Sequence, residues 1–180
     1  MVVLTGLDNA VLSNNGNIAP VLVFAYGNPG RGDDALGPCF YEALDAMNLQ
    51  GVECLTDMQL QVEHAMDMWG RRHVLFVDAD VSCSSPWQLS PLSAKQDISY
   101  SSHALSPAAL LYAFAQIYGD DAPESWVLRI RGYSFELGDD LTAAAQAHLD
   151  DALSNLDQIL QFNSEKERNN DSIIECAVCN

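Results

Sequence analysis

The sequence predicts an α/β protein: a three-layer α/β/α sandwich with a mostly parallel, twisted sheet of about five strands. Three observations predict it. From about residue 20 to residue 162, short apolar runs alternate with segments of helical periodicity. One run, VLFV at 74–77, is apolar without alternation, as a central strand covered on both faces must be. The apolar run at 21–24 feeds a Gly-rich turn, GNPGRGDDALGP at 27–38, and a helical pattern follows. A strand, a Gly-rich turn and a helix in that order place polar groups at the carboxyl edge of a sheet, where open α/β folds hold their ligands.

The elements follow in order. Residues 1–19 are rich in Asn and Gly, lack periodicity, and read as a loosely ordered extension. The first strand is expected at about 20–26. Leu36, Phe40, Ala43, Leu44 and Met47 then fall at helical spacing, and Pro38 fits only in the first turn of that helix. Residues 52–56 make a short second strand. Val62, Ala65, Met66 and Trp69 mark a second helix that stops near Gly70. HVLFVDAD, 73–80, is the central strand and ends on Asp78 and Asp80. Pro86 and Pro91 restrict 87–92 to a sheet edge. Ser106 and Pro107 read as the N-cap and first residue of a helix whose buried stripe is Leu110, Leu111, Phe114, Ile117 and Tyr118. Residues 126–130 form another strand. A last helix runs from about 140 to 161, with Leu141, Ala145, Leu149, Ala152, Leu153, Leu156 and Leu160 on one face. The folded domain is therefore placed at 20–162, and 163–180 reads as a flexible tail.

Composition narrows the function. A chain of 180 residues with 48% apolar content can build one sizeable core. Its net charge of -17 repels nucleic acid and anionic lipid, and it has no clusters of Lys and Arg. No window holds the roughly 18 apolar residues of a membrane span. The first thirty residues contain no Lys or Arg, so a secretory n-region is missing. Five Cys residues without a secretion signal point to free thiols in the cytoplasm. Nothing in the pattern leaves a long apolar seam for a partner copy, so a monomer is expected.

Three residues stand out as candidates for the chemistry: Asp34 after the first strand, Asp78 at the end of the third, and His103 just before a helix. The carboxyl ends of strands in a doubly wound sheet share one edge, so residues distant in sequence meet there. Two carboxylates and an imidazole form a set that suits a borderline divalent ion such as nickel or zinc, with a coordination position left open. Each residue also has a plain reading. Asp34 is a first-turn acid favoured by the helix dipole, Asp78 closes a turn, and His103 is a structural hydrogen-bonder. Asp33 reads as a helix N-cap. Asp57, Gln59 and Glu63 fall near the same edge, either orienting a ligand or capping. His64 and His73 read as structural or surface groups, and His148 as part of a surface helix. Cys176 and Cys179 have redox or metal spacing but no second ligand pair.

With these residues in hand, the sequence resembles the [NiFe]-hydrogenase maturation endopeptidase family. GNPGRGDDALGP, VLFVDAD and SSHALSP occur in the order and context of that family, across about residues 20 to 160. NPGRGDDALGP and DMQLQVEHAMD look most like the branch that serves soluble NAD-reducing or bidirectional hydrogenases. The resemblance implies a cytoplasmic peptidase that removes a C-terminal extension from the hydrogenase large-subunit precursor after nickel insertion. It implies that Asp34, Asp78 and His103 contact the metal. It also implies that the nickel is supplied by the substrate, with another divalent ion able to occupy the site in its absence. The first acid is often Glu in relatives, so Asp34 reaches one methylene less. The Gly-rich segment after the second strand is replaced by Thr56-Asp57-Met58-Gln59. The chain contains no HExxH pair and no GxSxG elbow. A non-catalytic chaperone of the large subunit would use the same surface. Acids at strand ends also fit a Mg-dependent phosphoryl-transfer or phospho-acceptor domain, but Arg31 is the only base at the opening turn.

Overall fold

The structure is a computed structural model and describes residues 18–84, 86–96 and 105–161. Five strands form one sheet in the order β2-β1-β3-β5-β4. They are β1 (Val21–Tyr26), β2 (Val52–Asp57), β3 (His73–Asp80), β4 (Trp87–Leu92) and β5 (Glu124–Arg131). β1 pairs in parallel with β2 and β3, and β3 with β5. β4 is antiparallel to β5 and lies at the sheet edge, where Pro91 confines it. No described helix is long and apolar enough to cross a membrane.

Side chains of the central strands alternate between two cores. Val23, Ala25, Leu75, Val77, Leu128 and Ile130 face one layer, built by α1 (Leu36–Ala46), α3 (Ala143–Ser154) and α4 (Leu156–Leu160). Leu22, Phe24, Val74, Phe76 and Val127 face the other, built by α2 (Pro107–Tyr118) and the segment 60–68. With both faces covered, β1 at 21–25 and β3 at 74–77 must be apolar on both sides, which is why these runs lack alternation.

The chain leaves β1 towards β2 through α1 and returns across the opposite face to β3. Strand order therefore reverses between β1 and β3. Connections diverge at such a point and open a crevice outside the carboxyl ends of the two strands. Two glycines let the turn after β1 close tightly. Gly27 has φ +148, and a Cβ there would lie 2.1 Å from the carbonyl oxygen of Asp34. A Cβ on Gly37 would lie 2.1 Å from the carbonyl oxygen of Tyr26, so α1 starts hard against the end of β1.

Four expectations change, the last of them at Asp33. The second helix is a single 3-10 turn, Val62–Ala65, followed by further turns closed by bonds three residues apart up to Gly70. Its Val62, Met66 and Trp69 are exposed, and Leu60, Ala65 and Met68 are the buried residues. The last helix breaks at Asn155, whose side-chain amide donates to the carbonyl of Asp151 at 2.7 Å. Ile117 in α2 is exposed and does not join the buried stripe. By contrast, Ser106 caps α2 through a bond from Ala109 N–H, with Pro107 as its first residue.

Asp33 is no N-cap of its own helix. It is fully buried, and its side chain reaches across to the loop after β5. Oδ2 accepts from Tyr133 N–H at 2.7 Å, Ser134 N–H at 3.1 Å and the Thr142 hydroxyl at 3.0 Å, while Oδ1 accepts from Thr142 N–H at 2.7 Å. Thr142 in turn caps α3 by accepting from Ala145 N–H. Backbone bonds reinforce the same seam: Asp33 N–H to Ser134 O, Gly32 N–H to Asp139 O and Gly138 N–H to Gly30 O. Burial works to raise the Asp33 carboxyl, but these hydrogen bonds outweigh it and hold the group below its ordinary 3.8.

Asp33→Asn therefore destabilises the fold, by about 3–5 kcal/mol, because buried N–H donors lose a charged acceptor. A depressed carboxyl contributes stability that is present above its unfolded value and lost as pH falls through its folded value. The gap between wild type and Asp33→Asn in urea unfolding should hence be full at pH 6 and shrink below about pH 4. A gap independent of pH would contradict the assignment.

Candidate active site

The crevice between β1 and β3 is built from the ends of those strands. Tyr26 is the last residue of β1, flanked in register by Asp57 of β2, while its neighbour Ala25 is paired with Val77 of β3. Asp78 follows Val77. Asp34 lies in the 3-10 turn Gly32–Ala35 that precedes α1. Its Oδ2 accepts from Asn28 N–H at 3.0 Å, so the Gly-rich turn closes around its carboxylate. The two acids of this turn have opposite orientations. Asp33 is committed to the loop after β5, and Asp34 is left at the crevice.

Asp78 and Asp34 lie near enough for the charge of one to act on the other. Asp78 Oδ2 accepts from the Tyr26 hydroxyl at 2.9 Å. Burial pushes the Asp78 carboxyl up to about 6; the Tyr26 hydroxyl and Ala79 N–H oppose the rise, and the charges of Asp34 and Asp80 add to it. Burial likewise raises the Tyr26 phenol well above its ordinary value, and the Asp78 charge adds to this. Asp80, two residues on, is in the contrary state. Ser82 donates to its Oδ1 from both N–H and hydroxyl at 2.6 Å, and Arg129 Nε lies 3.7 Å from Oδ2. Burial again works to raise it, but these contacts prevail and hold Asp80 below 3.8. One strand end thus carries a fixed anion and an acid that titrates near neutrality, a separation typical of working sites.

His103 lies outside the described residues, as do Cys176 and Cys179. The first described residue after that gap, Leu105, donates its N–H to Leu60 O at 3.3 Å, on the connection that leaves β2. Among the described residues no three His, Cys, Asp or Glu side chains form a metal cluster. The two carboxylates present are hard oxygen ligands of the kind nickel or zinc accepts beside imidazole.

Asp57 ends β2 beside this crevice, and His64 Nε2 lies 3.4 Å from its Oδ2. Gln61 N–H donates to His64 Nδ1 at 3.0 Å. A backbone N–H can only donate, so neutral His64 carries its proton on Nε2, facing Asp57. Gln59 and Glu63 stand exposed on the same connection. His73 is buried at the opposite end of β3, near Glu124 and Trp126, and is structural. His148 lies on α3 with Nδ1 3.1 Å from Arg131 O. Burial raises the Cys39 thiol and lifts Cys54 to about 11, so neither is a ready thiolate. Sequence reasoning missed Tyr26. The signal was present: a hydroxyl at the end of an otherwise apolar strand, beside the strand that ends in Asp78.

A charged Asp78 is unfavourable to the metal-free fold. Its folded value lies above the unfolded one, so stability falls as pH rises from about 4 to about 6, where the unfolded chain has released a proton that the folded chain retains. Asp78→Asn should therefore be more stable than wild type at pH 7, by about 1–3 kcal/mol, with the advantage shrinking towards pH 4. Urea unfolding at pH 4 and 7 checks this; a variant less stable than wild type at pH 7 would contradict it.

No protein-family model and no curated protein sequence matches the chain. Solved structures do. An endopeptidase from Escherichia coli, solved in solution, superposes with a TM-score of 0.62 at 26% identity, covering 80% of this chain and 93% of that one. The [NiFe] hydrogenase maturation protease HycI from Thermococcus kodakarensis KOD1 gives 0.60 at 18% identity, covering 79% and 93%. The hydrogenase maturating endopeptidase HybD from E. coli gives 0.58 at 24% identity, covering 76% and 88%. The chain has the fold of the [NiFe]-hydrogenase maturation endopeptidases, the family its motifs at 27–38, 74–80 and 101–107 resemble.

Proposed function

We propose that this protein is an endopeptidase that removes the C-terminal extension of a [NiFe]-hydrogenase large-subunit precursor after nickel has been inserted. The observation that supports this best is the meeting of Asp34 and Asp78 at the switch point of a fold shared with hydrogenase maturation endopeptidases. The nickel belongs to the substrate. Asp34 and Asp78, with His103, are the side chains that would complete its shell, so a nickel-loaded precursor is bound in preference to an empty one. In that position the ion supplies Lewis-acid polarisation of the scissile carbonyl.

The chain's own residues do the rest. Asp34 and Asp78 hold the precursor so that the bond to be cut lies at the crevice, which converts an encounter into a positioned reaction. Tyr26 fixes the rotamer of Asp78 through its hydroxyl. Asp34 is the carboxylate we assign to take the proton from the attacking water. On this reading the protein acts in the cytoplasm, as a monomer, on the branch of substrates formed by soluble NAD-reducing or bidirectional hydrogenases.

The test is incubation with large-subunit precursor, with and without nickel, followed by intact mass. Loss of a C-terminal peptide from the nickel-loaded form alone is expected. Asp34→Ala, Asp78→Ala and His103→Ala should each slow that loss roughly 100-fold or more. Cutting of both forms at one rate would overturn nickel recognition, and tight binding without cutting would make the protein a chaperone.

A further inference from the structure

We propose that a surface pocket beside the crevice binds a carboxylate of the substrate peptide, with Arg131 as its recognition group. As a carboxylate pocket it stands on its own residues; as a substrate subsite it rests on the peptidase reading above.

The pocket has a volume of about 340 Å³ and is lined by Cys83, Ser84, Pro86, Arg131, Tyr133 and His148. None of these is acidic, in a chain of net charge -17. Arg131 is the last residue of β5. Among the described residues it makes no ion pair, whereas Arg129 meets Asp80 and Arg71 meets Glu53. Its guanidinium is nevertheless held. Nη1 donates to Cys83 O at 2.7 Å, and Cζ lies over the Tyr133 ring, 5.2 Å from its centroid. A guanidinium has five N–H donors, and among the described residues the bond to Cys83 O is the hydrogen bond it makes. A planar fork fixed by a carbonyl and an aromatic face loses little entropy when a carboxylate docks, and two parallel N–H···O bonds can form.

Further contacts fix the pocket walls. A carbonyl oxygen can only accept, so the contact between His148 Nδ1 and Arg131 O puts the imidazole proton on Nδ1. The Tyr133 and His148 rings lie 5.7 Å apart. Tyr133 N–H donates to Asp33, so the pocket wall is fastened to the turn that carries Asp34. Position links the pocket to the crevice. Asp78 is in register with Arg129, and Asp80 with Arg131. Arg131 therefore stands roughly 7 Å beyond the level of Asp78, a span that an extended peptide covers in about two residues. An acidic side chain or a terminal carboxylate within two or three residues of the cut would reach it.

Two measurements decide this. In the first, N-acetylglutamate amide and its neutral partner N-acetylglutamine amide are titrated against the full chain at constant ionic strength. NMR follows the Arg131 side chain, Tyr133 and His148. Saturable shifts with the glutamate probe only, absent in Arg131→Met and weakened in Arg131→Lys, are expected. Equal shifts with both probes, or shifts retained in Arg131→Met, would overturn the pocket. In the second, nickel-loaded precursor is cleaved by wild type and by each variant. Arg131→Met should raise KM about tenfold with kcat little changed, and Arg131→Lys should recover part of the loss. An unchanged KM in Arg131→Met, with wild type active, would overturn the subsite. An inactive wild type would instead count against the peptidase reading, and the first measurement would still decide the pocket.

Discussion

The buried carboxylate of Asp33 is the constraint on which the working edge depends. It lies at the start of the first helical turn but is spent on the other end of the chain, accepting from Tyr133, Ser134 and Thr142. A buried anion that makes no ion pair among the described residues is tolerable because its oxygens meet three N–H groups and a hydroxyl. In return it locks three things together: the turn after β1, the loop after β5, and the N-cap of α3. Asp34 is the next residue, so its direction is decided by where Asp33 is held. Arg31 adds to the seam by donating from Nε to Phe135 O.

Around that constraint the strand ends carry acids in different electrostatic states. Asp80 is paired and hydrogen-bonded, and remains charged. Asp78 is desolvated, shares a hydrogen bond with Tyr26 and feels Asp34. A carboxylate kept in a costly state by the fold gains most when a cation arrives, and in the function proposed above that cation is the metal of a loaded precursor. The acidity of the whole surface favours the same encounter. Against that field, a guanidinium facing a pocket whose described lining holds no acid is the exception, and it lies on the same edge.

Much of this was legible in the sequence where the physics is local. Unbroken apolar runs at 21–24 and 74–77 fixed the central strands, prolines placed 87–92 at an edge, and Ser106-Pro107 marked the start of α2. Asp34 and Asp78 could be singled out because each follows a strand, and parallel strands share a carboxyl edge. What was not legible was non-local or degenerate. The partners of Asp33 are 100 or more residues away, so a turn acid looked like an N-cap. Val62, Ala65, Met66 and Trp69 have helical spacing, yet Trp69 is placed by its stacking on Tyr118, at 4.6 Å, rather than by a helix face. Asn155 breaks the last helix because its amide competes for a backbone carbonyl, a choice that spacing does not record.

The central claim is that Asp34 and Asp78 read the metal carried by the substrate. The most direct test is calorimetric binding of nickel-loaded and nickel-free large-subunit precursor to wild type and to Asp78→Asn. The account predicts that wild type binds the loaded form more tightly than the empty one, and that Asp78→Asn, though folded, binds both alike. Equal affinity of wild type for the two forms would contradict it.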